Sequence, residues 1–256
     1  MKERKGIERL IGMSSEVDQF IDRLREYRSN GSVSNPWRDW DRKYDTDEDA
    51  PIRRSNHLRA YLNARLNTAK ALLIAEAPSY QGAKFSGIPM TCERTLLGLR
   101  RVSCADVVGE TIKPQRTSRP EASNKQGVKE GGFCEPTAGY VWGHMADRPG
   151  LSKKIVLWNV FAFHPYKDTN RLKNRTPLKE EILSKGNRDV LEAFLRLFPD
   201  LPILAVGKIS EQYLNNYLKE WGLGNKLSVA RHPAYGGATI FRNDLDEFLK
   251  KVHLHS

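Results

Sequence analysis

Three polar residues lie at the ends of hydrophobic, strand-like segments, and their side chains have complementary chemistry. Glu76 follows the apolar residues 71–75, Asn159 follows 155–158, and His232 lies two residues beyond Ala230. In an open α/β sheet, the loops at the carboxyl ends of the strands converge on one crevice where ligands bind. There a carboxylate can position water, an amide can read a ring edge, and an imidazole can stabilise a departing anion.

Each of these residues also has an ordinary structural interpretation when it is considered alone. A strand-end glutamate is often a surface acid, an asparagine often caps the next turn, and a lone histidine is often solvated. Residues 80–90 add two aromatic side chains, Tyr80 and Phe85, among several glycines. Glycines let a backbone approach a flat ligand and aromatic rings can stack on a base, although a plain connecting loop has the same composition.

The charge of the chain favours a polyanionic partner. The 256 residues include 42 Lys and Arg against 31 Asp and Glu, a formal net charge of +11. Such an excess promotes binding to nucleic acid through the release of counterions, and general solubility is the alternative explanation. No apolar segment approaches the roughly 18 residues needed to cross a bilayer. The amino-terminal segment is amphipathic, unlike a signal peptide, so we expect a cytoplasmic protein with no membrane partner.

Cysteine usage argues against a metal centre. Cys92, Cys104 and Cys134 are widely spaced and include no C-x-x-C pair. Zinc sites and iron–sulfur clusters usually need clustered thiolates, so we expect reduced thiols, no metal and no other cofactor.

Apolar segments alternate with amphipathic ones from residue 70 onward. The pattern predicts strands at 71–76, 154–160, 202–206 and 226–231, and helices near 91–102, 137–146, 187–198, 208–220 and 239–251. Such alternation is typical of an α/β fold with a parallel sheet covered on both faces. Helical spacing over 7–28 and 51–69 predicts an amino-terminal helical extension, residues 1–69, packed on a domain formed by residues 70–256.

The segment 109–132 is basic and almost free of large apolar residues. Between positions 113 and 130 five cations, including Lys113, Arg116 and Arg119, outnumber two glutamates. A long loop inside a domain is usually functional or disordered. The segment is therefore either a surface insertion or a flap that grips phosphates and covers the substrate.

Six short segments occur in an order that is more specific than any one of them. They are residues 75–78 (Ala-Glu-Ala-Pro), 82–93, 158–159 (Trp-Asn), 174–177 (Asn-Arg-Thr-Pro), 205–207 and 231–233 (Arg-His-Pro). Together they resemble the uracil-DNA glycosylase superfamily, above all bacterial members with a Gly-Glu-Ala-Pro-type first motif. The resemblance covers roughly residues 70 to 250.

The resemblance implies a three-layer α/β/α fold around a four-stranded parallel sheet. Members of this superfamily hydrolyse the bond between deoxyribose and a base flipped out of DNA, without metal or nucleotide cofactor. On this basis Glu76 would belong to the water-positioning motif, Asn159 would read the base edge and His232 would stabilise the departing base. Arg231 and Tyr235 would contact DNA from the following loop, and the protein would act as a monomer.

The sequence departs from the best-known branch at three positions. Ala77 occupies the place of a water-activating Asp, and Ser79 that of a Tyr which excludes substituents at C5 of the ring. Met90 replaces the usual stacking Phe, so Phe85 or Tyr80 is expected to stack on the base instead.

The main functional hypothesis is a monofunctional DNA glycosylase that removes uracil or a C5-modified pyrimidine and leaves an abasic site. An alternative is a phage-defence enzyme that excises a bulky modified cytosine, such as glucosylated hydroxymethylcytosine. Ala77 favours a further alternative, a catalytically silent DNA-binding module that senses flipped bases. A small-molecule nucleoside hydrolase is a fourth possibility, which the basic charge disfavours.

Overall fold

The chain forms a parallel sheet, a smaller antiparallel sheet and surrounding helices. The computed structural model describes residues 15–29, 31–234 and 236–254. The strands are β1 (Val33–Ser34), β2 (Ala71–Ala75), β3 (Ile155–Asn159), β4 (His164–Lys167), β5 (Asn170–Asn174), β6 (Ile203–Val206) and β7 (Leu227–Ala230). The helices are α1 (Glu16–Glu26), α2 (Ala50–Asn63), α3 (Ala83–Ser86), α4 (Glu93–Leu96), α5 (Cys104–Val108), α6 (Gln126–Gly131), α7 (Pro136–Ala146), α8 (Leu151–Lys154), α9 (Lys179–Ile182), α10 (Lys185–Leu197), α11 (Lys208–Glu220) and α12 (Ala238–Lys251).

The four apolar segments form the central sheet, in the order β3-β2-β6-β7 with every pair parallel. All residues of β2, β3 and β6 are buried, as expected for strands that helices cover on both faces. The register pairs Ala75 with Asn159 and Val206 with Ala230, so neighbouring strands end side by side. The predicted α/β fold with a four-stranded parallel sheet is confirmed.

Helix α1 packs on the sheet through its apolar side. Val17, Phe20, Ile21 and Leu24 recur at helical spacing and are buried. The Phe20 ring contacts Trp158 of β3 edge-on at 5.3 Å, and Trp158 stacks on Phe194 of α10 at 4.5 Å. The predicted helix over 7–28 includes residues 7–14, which lie outside the described residues, and the boundary between residues 69 and 70 remains a prediction.

Replacing Phe20 by alanine tests whether α1 folds together with the sheet. We expect Phe20→Ala to lower the free energy of unfolding by about 3–5 kcal/mol, because it leaves a cavity against Trp158. Urea denaturation followed by tryptophan fluorescence measures the change. Ile52→Ala, at a side chain that is 48% exposed, is the control and should change stability little. If Phe20→Ala also has no effect, α1 is not part of the cooperative unit.

Two predicted helices are shorter than expected. The helix predicted over 51–69 ends at Asn63, although Pro51 does lie in its first turn. The helix predicted near 91–102 is only α4, and Gly98 follows it with φ of 70°. A glycine in the left-handed region commonly terminates a helix, and that explains the difference.

The antiparallel sheet was not predicted, and it borders the carboxyl end of the central sheet. Strands β4 and β5 form a hairpin immediately after β3, and β1 pairs with β4. The turn of the hairpin contains Asp168 with φ of 54°, a conformation that Asp tolerates better than most residues. The His164 ring contacts the carbonyl oxygens of Pro78 and Arg171, each at 3.0 Å, so the hairpin is tied to the loop after β2.

The basic segment 109–132 is folded onto the core, and it includes α6 and a 3-10 turn at Pro120–Ala122. Its attachment is the buried carboxylate of Glu93, which accepts hydrogen bonds from the backbone N–H groups of Thr117 (2.8 Å), Ser118 (2.9 Å) and Phe133 (3.3 Å). Among the described residues, no helix is long and apolar enough to span a membrane.

Candidate active site

A cleft of about 1090 Å³ lies at the carboxyl ends of the four central strands. Glu76 follows β2, Asn159 ends β3, Gly207 follows β6 and His232 lies beyond β7, and all four line this cleft. The strand order reverses between β2 and β6, and ligands of open α/β sheets bind at such a switch point. The structure therefore brings the three residues selected from the sequence into one cavity.

Asn159 presents a hydrogen-bond donor that the protein leaves unused. Its side chain is 1% exposed, and its Nδ2 atom has no hydrogen-bond partner among the described residues. A buried polar group without a partner typically costs about 1–3 kcal/mol. A ligand that offers an acceptor to this amide would remove that cost.

Glu76 is half-buried at the end of β2, and burial raises the pKa of its carboxyl group above that of an ordinary glutamate. A hydrogen bond with the Thr176 side chain acts in the opposite direction. Thr176 follows β5, so the hairpin contributes directly to the environment of this carboxylate. A raised pKa makes the ionised group a stronger base toward water.

His232 is held in one tautomer by its own loop. Its Nδ1 atom accepts the backbone N–H of Ala234 at 3.1 Å, so the proton of the neutral ring lies on Nε2. Burial lowers the pKa of His232, and the neutral form therefore predominates at neutral pH. Gly207, with φ of 91°, packs beside the ring, where a Cβ would lie 3.4 Å from that of His232.

Ser79 and Met90 also line the cleft. The Ser79 hydroxyl oxygen accepts the N–H of Gln81 at 3.0 Å and the Nδ2 group of Asn174 at 3.3 Å. Met90 is buried in the cleft wall and has φ of 48°. Such a conformation is strained for a residue with a side chain, and strain of this kind is common at binding sites.

The predicted stacking role of Phe85 is wrong. Its side chain is fully buried outside the cleft, and its ring lies parallel to Phe133 at 4.9 Å. Tyr80 does not line the cleft either, because its ring packs edge-on against Phe133 at 5.6 Å. The apolar side chain that this part of the chain does contribute is Met90.

The predicted DNA-binding residues lie in different places. Arg231 lies exposed at the rim of the cleft, and Tyr235 lies outside the described residues. Lys113 is exposed but does not line the cleft, and its contact with DNA remains a prediction.

Arg116 does not line the cleft, and its contact with a phosphate remains a prediction. Its guanidinium donates to the carbonyl oxygens of Ser118 (2.5 Å), Val128 (2.7 Å) and Lys129 (2.7 Å), which uses its donors inside the segment. Arg119 likewise donates to the carbonyl oxygen of Asp45 at 2.8 Å and lies away from the cleft.

No sequence pattern pointed to two lysines and a glutamate that also line the cleft. Lys167, from the hairpin, and Lys208, at the start of α11, line the cleft and form no ion pair with any described residue. Glu135, next to the first turn of α7, also lines the cleft, and burial raises the pKa of its carboxyl group to about 8. Within the described residues, no group of three or more His, Cys, Asp or Glu side chains is arranged to hold a metal ion.

Comparison with known proteins identifies a similar fold. Neither a family model nor a curated protein matches the sequence. The structure is similar to the crystal structure of wild-type SMUG2 from Pedobacter heparinus, with a TM-score of 0.63. The similarity covers 94% of this chain and 99% of that chain, at 14% sequence identity. At this identity the similarity is one of fold.

Proposed function

We propose that this protein is a DNA glycosylase of the uracil-DNA glycosylase type, which hydrolyses the bond between deoxyribose and a pyrimidine flipped out of DNA. The observation that carries the proposal is the meeting of Glu76, Asn159 and His232 around one cleft. The similarity of fold to SMUG2, a DNA glycosylase, supports it.

The three side chains have separate parts in the proposed reaction. Asn159 donates a hydrogen bond to a carbonyl oxygen of the base, which fixes the ring in the cleft. The C1′–N bond breaks and its electron pair goes to the base, whose negative charge the Nε2–H of His232 stabilises. A water oxygen bonds to C1′ and passes its proton to ionised Glu76. Positioning and electrostatics supply the catalysis, and the proton on Glu76 then returns to the base or to solvent.

A substrate panel tests this proposal. Oligonucleotides that contain uracil, thymine mispairs, hypoxanthine or glucosylated hydroxymethylcytosine are incubated with the protein, and alkali-labile sites and released base are measured. We expect release of at least one pyrimidine, with large losses in Asn159→Ala. DNA binding without any abasic product would instead support a silent module. Activity confined to free nucleosides would support a nucleoside hydrolase.

Room at C5 of the ring favours a second candidate substrate. Ser79, with its small side chain, lines the cleft at the position where the resembling branch has a Tyr. A cavity of about 1090 Å³ exceeds the space that a single pyrimidine occupies. Release of glucosylated hydroxymethylcytosine in preference to uracil would indicate phage defence, and the reverse preference would indicate repair.

The cations at the cleft rim are expected to bind the DNA backbone. Lys167→Ala, Lys208→Ala and Arg231→Ala should each weaken binding to all sequences alike. Each should also reduce the slope of log K against log salt by about 0.9, because one fewer counterion is released. Fluorescence anisotropy over a range of salt concentrations measures both effects.

Lys226→Ala is the matched control for the rim cations. This exposed lysine borders a second, smaller cavity at the amino-terminal end of the central sheet. It should leave the salt slope unchanged. If Lys226→Ala reduced the slope by the same amount, the proposed DNA-binding surface at the carboxyl end of the sheet would be wrong.

A further inference from the structure

We propose that Glu135 contacts the extruded base and donates a hydrogen bond to one of its carbonyl oxygens, which selects pyrimidines with two carbonyl groups over 4-aminopyrimidines. This inference rests on the proposed glycosylase function, adds one contact to it, and favours a uracil-type substrate over glucosylated hydroxymethylcytosine.

The Glu135 carboxyl group lies in the wall of the cleft, next to Gly82. Glu135 immediately precedes α7, but its side chain makes no capping hydrogen bond to that helix. A Cβ at Gly82 would lie 2.8 Å from Cδ of Glu135 and closer still to Oε2. The carboxyl group therefore fills the space that any side chain at position 82 would need, and it lies against the loop that follows β2.

Hydrogen bonding satisfies only one part of this carboxyl group. The Ser79 oxygen already accepts from Gln81 and from Asn174, so its own proton is directed to Glu135. The Oε2 atom of Glu135 is buried and has no hydrogen-bond partner among the described residues. Because Glu135 lines the cleft, a base bound there is the group that can supply the missing partner.

Glu93 shows what a structural carboxylate looks like in this protein. Glu93 is fully buried, and it accepts three backbone N–H groups and the Ser118 hydroxyl. Glu135 receives no comparable set of donors; the residue is only partly buried, and its buried Oε2 atom has no partner among the described residues. Packing of the fold explains the contacts of Glu93, and it leaves the free oxygen of Glu135 for a ligand.

The charged groups near Glu135 favour its neutral form. The thiols of Cys92 and Cys134 hydrogen-bond to each other beside it, which raises the pKa of Cys92 and lowers that of Cys134 to about 6. Cys134 is therefore the thiol of this pair that ionises first, and its negative charge and that of an ionised Glu135 repel each other. The positive charges of Arg100 and Arg94 lower the pKa of Cys134. Among the described residues, no cation forms an ion pair with Glu135 itself. Burial raises the pKa of Glu135 to about 8, so at neutral pH its carboxyl group carries a proton that it can donate.

The polarity of the cleft then indicates the class of base. Glu76 and His232 line the same cavity and are assigned to water and to the leaving group. Asn159 and Glu135 remain, each with a buried polar atom that lacks a partner. Two donors suit a base with two carbonyl oxygens, whereas a 4-amino group would oppose a donor to a donor.

The experiment uses two substrates that differ only at C4 of the ring. Base release from oligonucleotides with 5-hydroxymethyluracil or 5-hydroxymethylcytosine is measured between pH 6 and 9.5 for the parent, Glu135→Ala and Glu135→Gln. We expect the parent to prefer the uracil form and to lose activity as the pH rises through about 8. Glu135→Ala should lose about ten- to hundredfold in kcat/KM.

The amide variant separates a donor from a structural side chain. Glu135→Gln keeps an N–H donor at every pH, so it should exceed Glu135→Ala and show no loss above pH 8. Glu26→Gln, at an exposed position of α1, should keep the parent profile. Unchanged activity in Glu135→Ala, or the same alkaline loss in Glu135→Gln, would overturn the inference while the glycosylase function stands. A parent that releases neither these bases nor any other would overturn both proposals.

Glu135→Ala need not fold for the question to be decided. Circular dichroism establishes whether each variant is folded. If the alanine variant is not, the parent and Glu135→Gln profiles alone support or contradict the assignment.

Discussion

Glu76→Gln lowers the rate of base release by about two to four orders of magnitude, the usual contribution of a positioned general base. Glutamine keeps the size and polarity of the side chain but cannot take a proton from water. The parent should also lose activity as the pH falls through the raised pKa of Glu76, because only the ionised carboxylate is the base. This acid limb should lie at higher pH than for an ordinary glutamate, and single-turnover rates measure it.

The same variant should raise stability at neutral pH. Because the pKa of Glu76 is raised on folding, the native state binds the proton more tightly than the unfolded state. The resulting stability is present below the unfolded pKa and is lost as the pH rises through the folded pKa. Glu76→Gln removes this loss, so its advantage in urea denaturation should grow with pH over that range. A fully active Glu76→Gln would remove this residue from the mechanism.

His232→Ala is expected to lower kcat by about a hundred- to a thousandfold, which corresponds to about 2.7–4 kcal/mol of lost transition-state stabilisation. KM should change little, because the contact strengthens only as charge develops on the departing base. The loss should be smaller for 5-fluorouracil, whose anion is more stable and depends less on the imidazole. Single-turnover kinetics on matched oligonucleotides provide the comparison.

Two amide variants distinguish catalysis by His232 from a structural role. Glutamine places an N–H group near the Nε2 position, whereas asparagine places its carbonyl oxygen near Nδ1, which accepts from Ala234. If Nε2–H stabilises the base, His232→Gln should recover part of the lost rate and His232→Asn should recover little. Recovery by asparagine alone would instead mean that the histidine only holds its loop.

Among the described residues, the buried polar atoms without a partner include two from residues that line the cleft, and others, such as Nε1 of Trp158 and Oδ1 of Asn225, that lie elsewhere. The fully buried guanidinium of Arg65 donates to the carbonyl oxygens of five residues: Ser152 (3.1 Å), Ile155 (3.0 Å), Tyr61 (3.0 Å), Val107 (2.7 Å) and Asp106 (2.9 Å). Asn159 and Glu135 keep a polar atom without such a partner. Departures from full hydrogen bonding are expected where a protein binds a ligand, because the ligand supplies the missing group.

The sequence alone determined the central sheet and the residues at its carboxyl edge. Buried parallel strands are nearly continuous apolar segments, and this signal depends only on neighbouring residues. Parallel strands that end in register bring the residues that follow them together, which explains why Glu76, Asn159 and His232 meet in one cleft. The distance between them along the chain had no bearing on that outcome.

Only the tertiary structure decided which other side chains reach the cleft. Phe85 in α3 and Met90 just after that helix lie five residues apart, yet Phe85 is buried against Phe133 while Met90 lies in the cleft wall. Arg116 lies in a segment whose composition suits phosphate binding, but its guanidinium donates hydrogen bonds to carbonyl oxygens of that same segment. Glu135 reaches the cleft because Gly82, over fifty residues earlier, leaves it space. Such contacts join distant parts of the chain, so no local pattern of residue types encodes them.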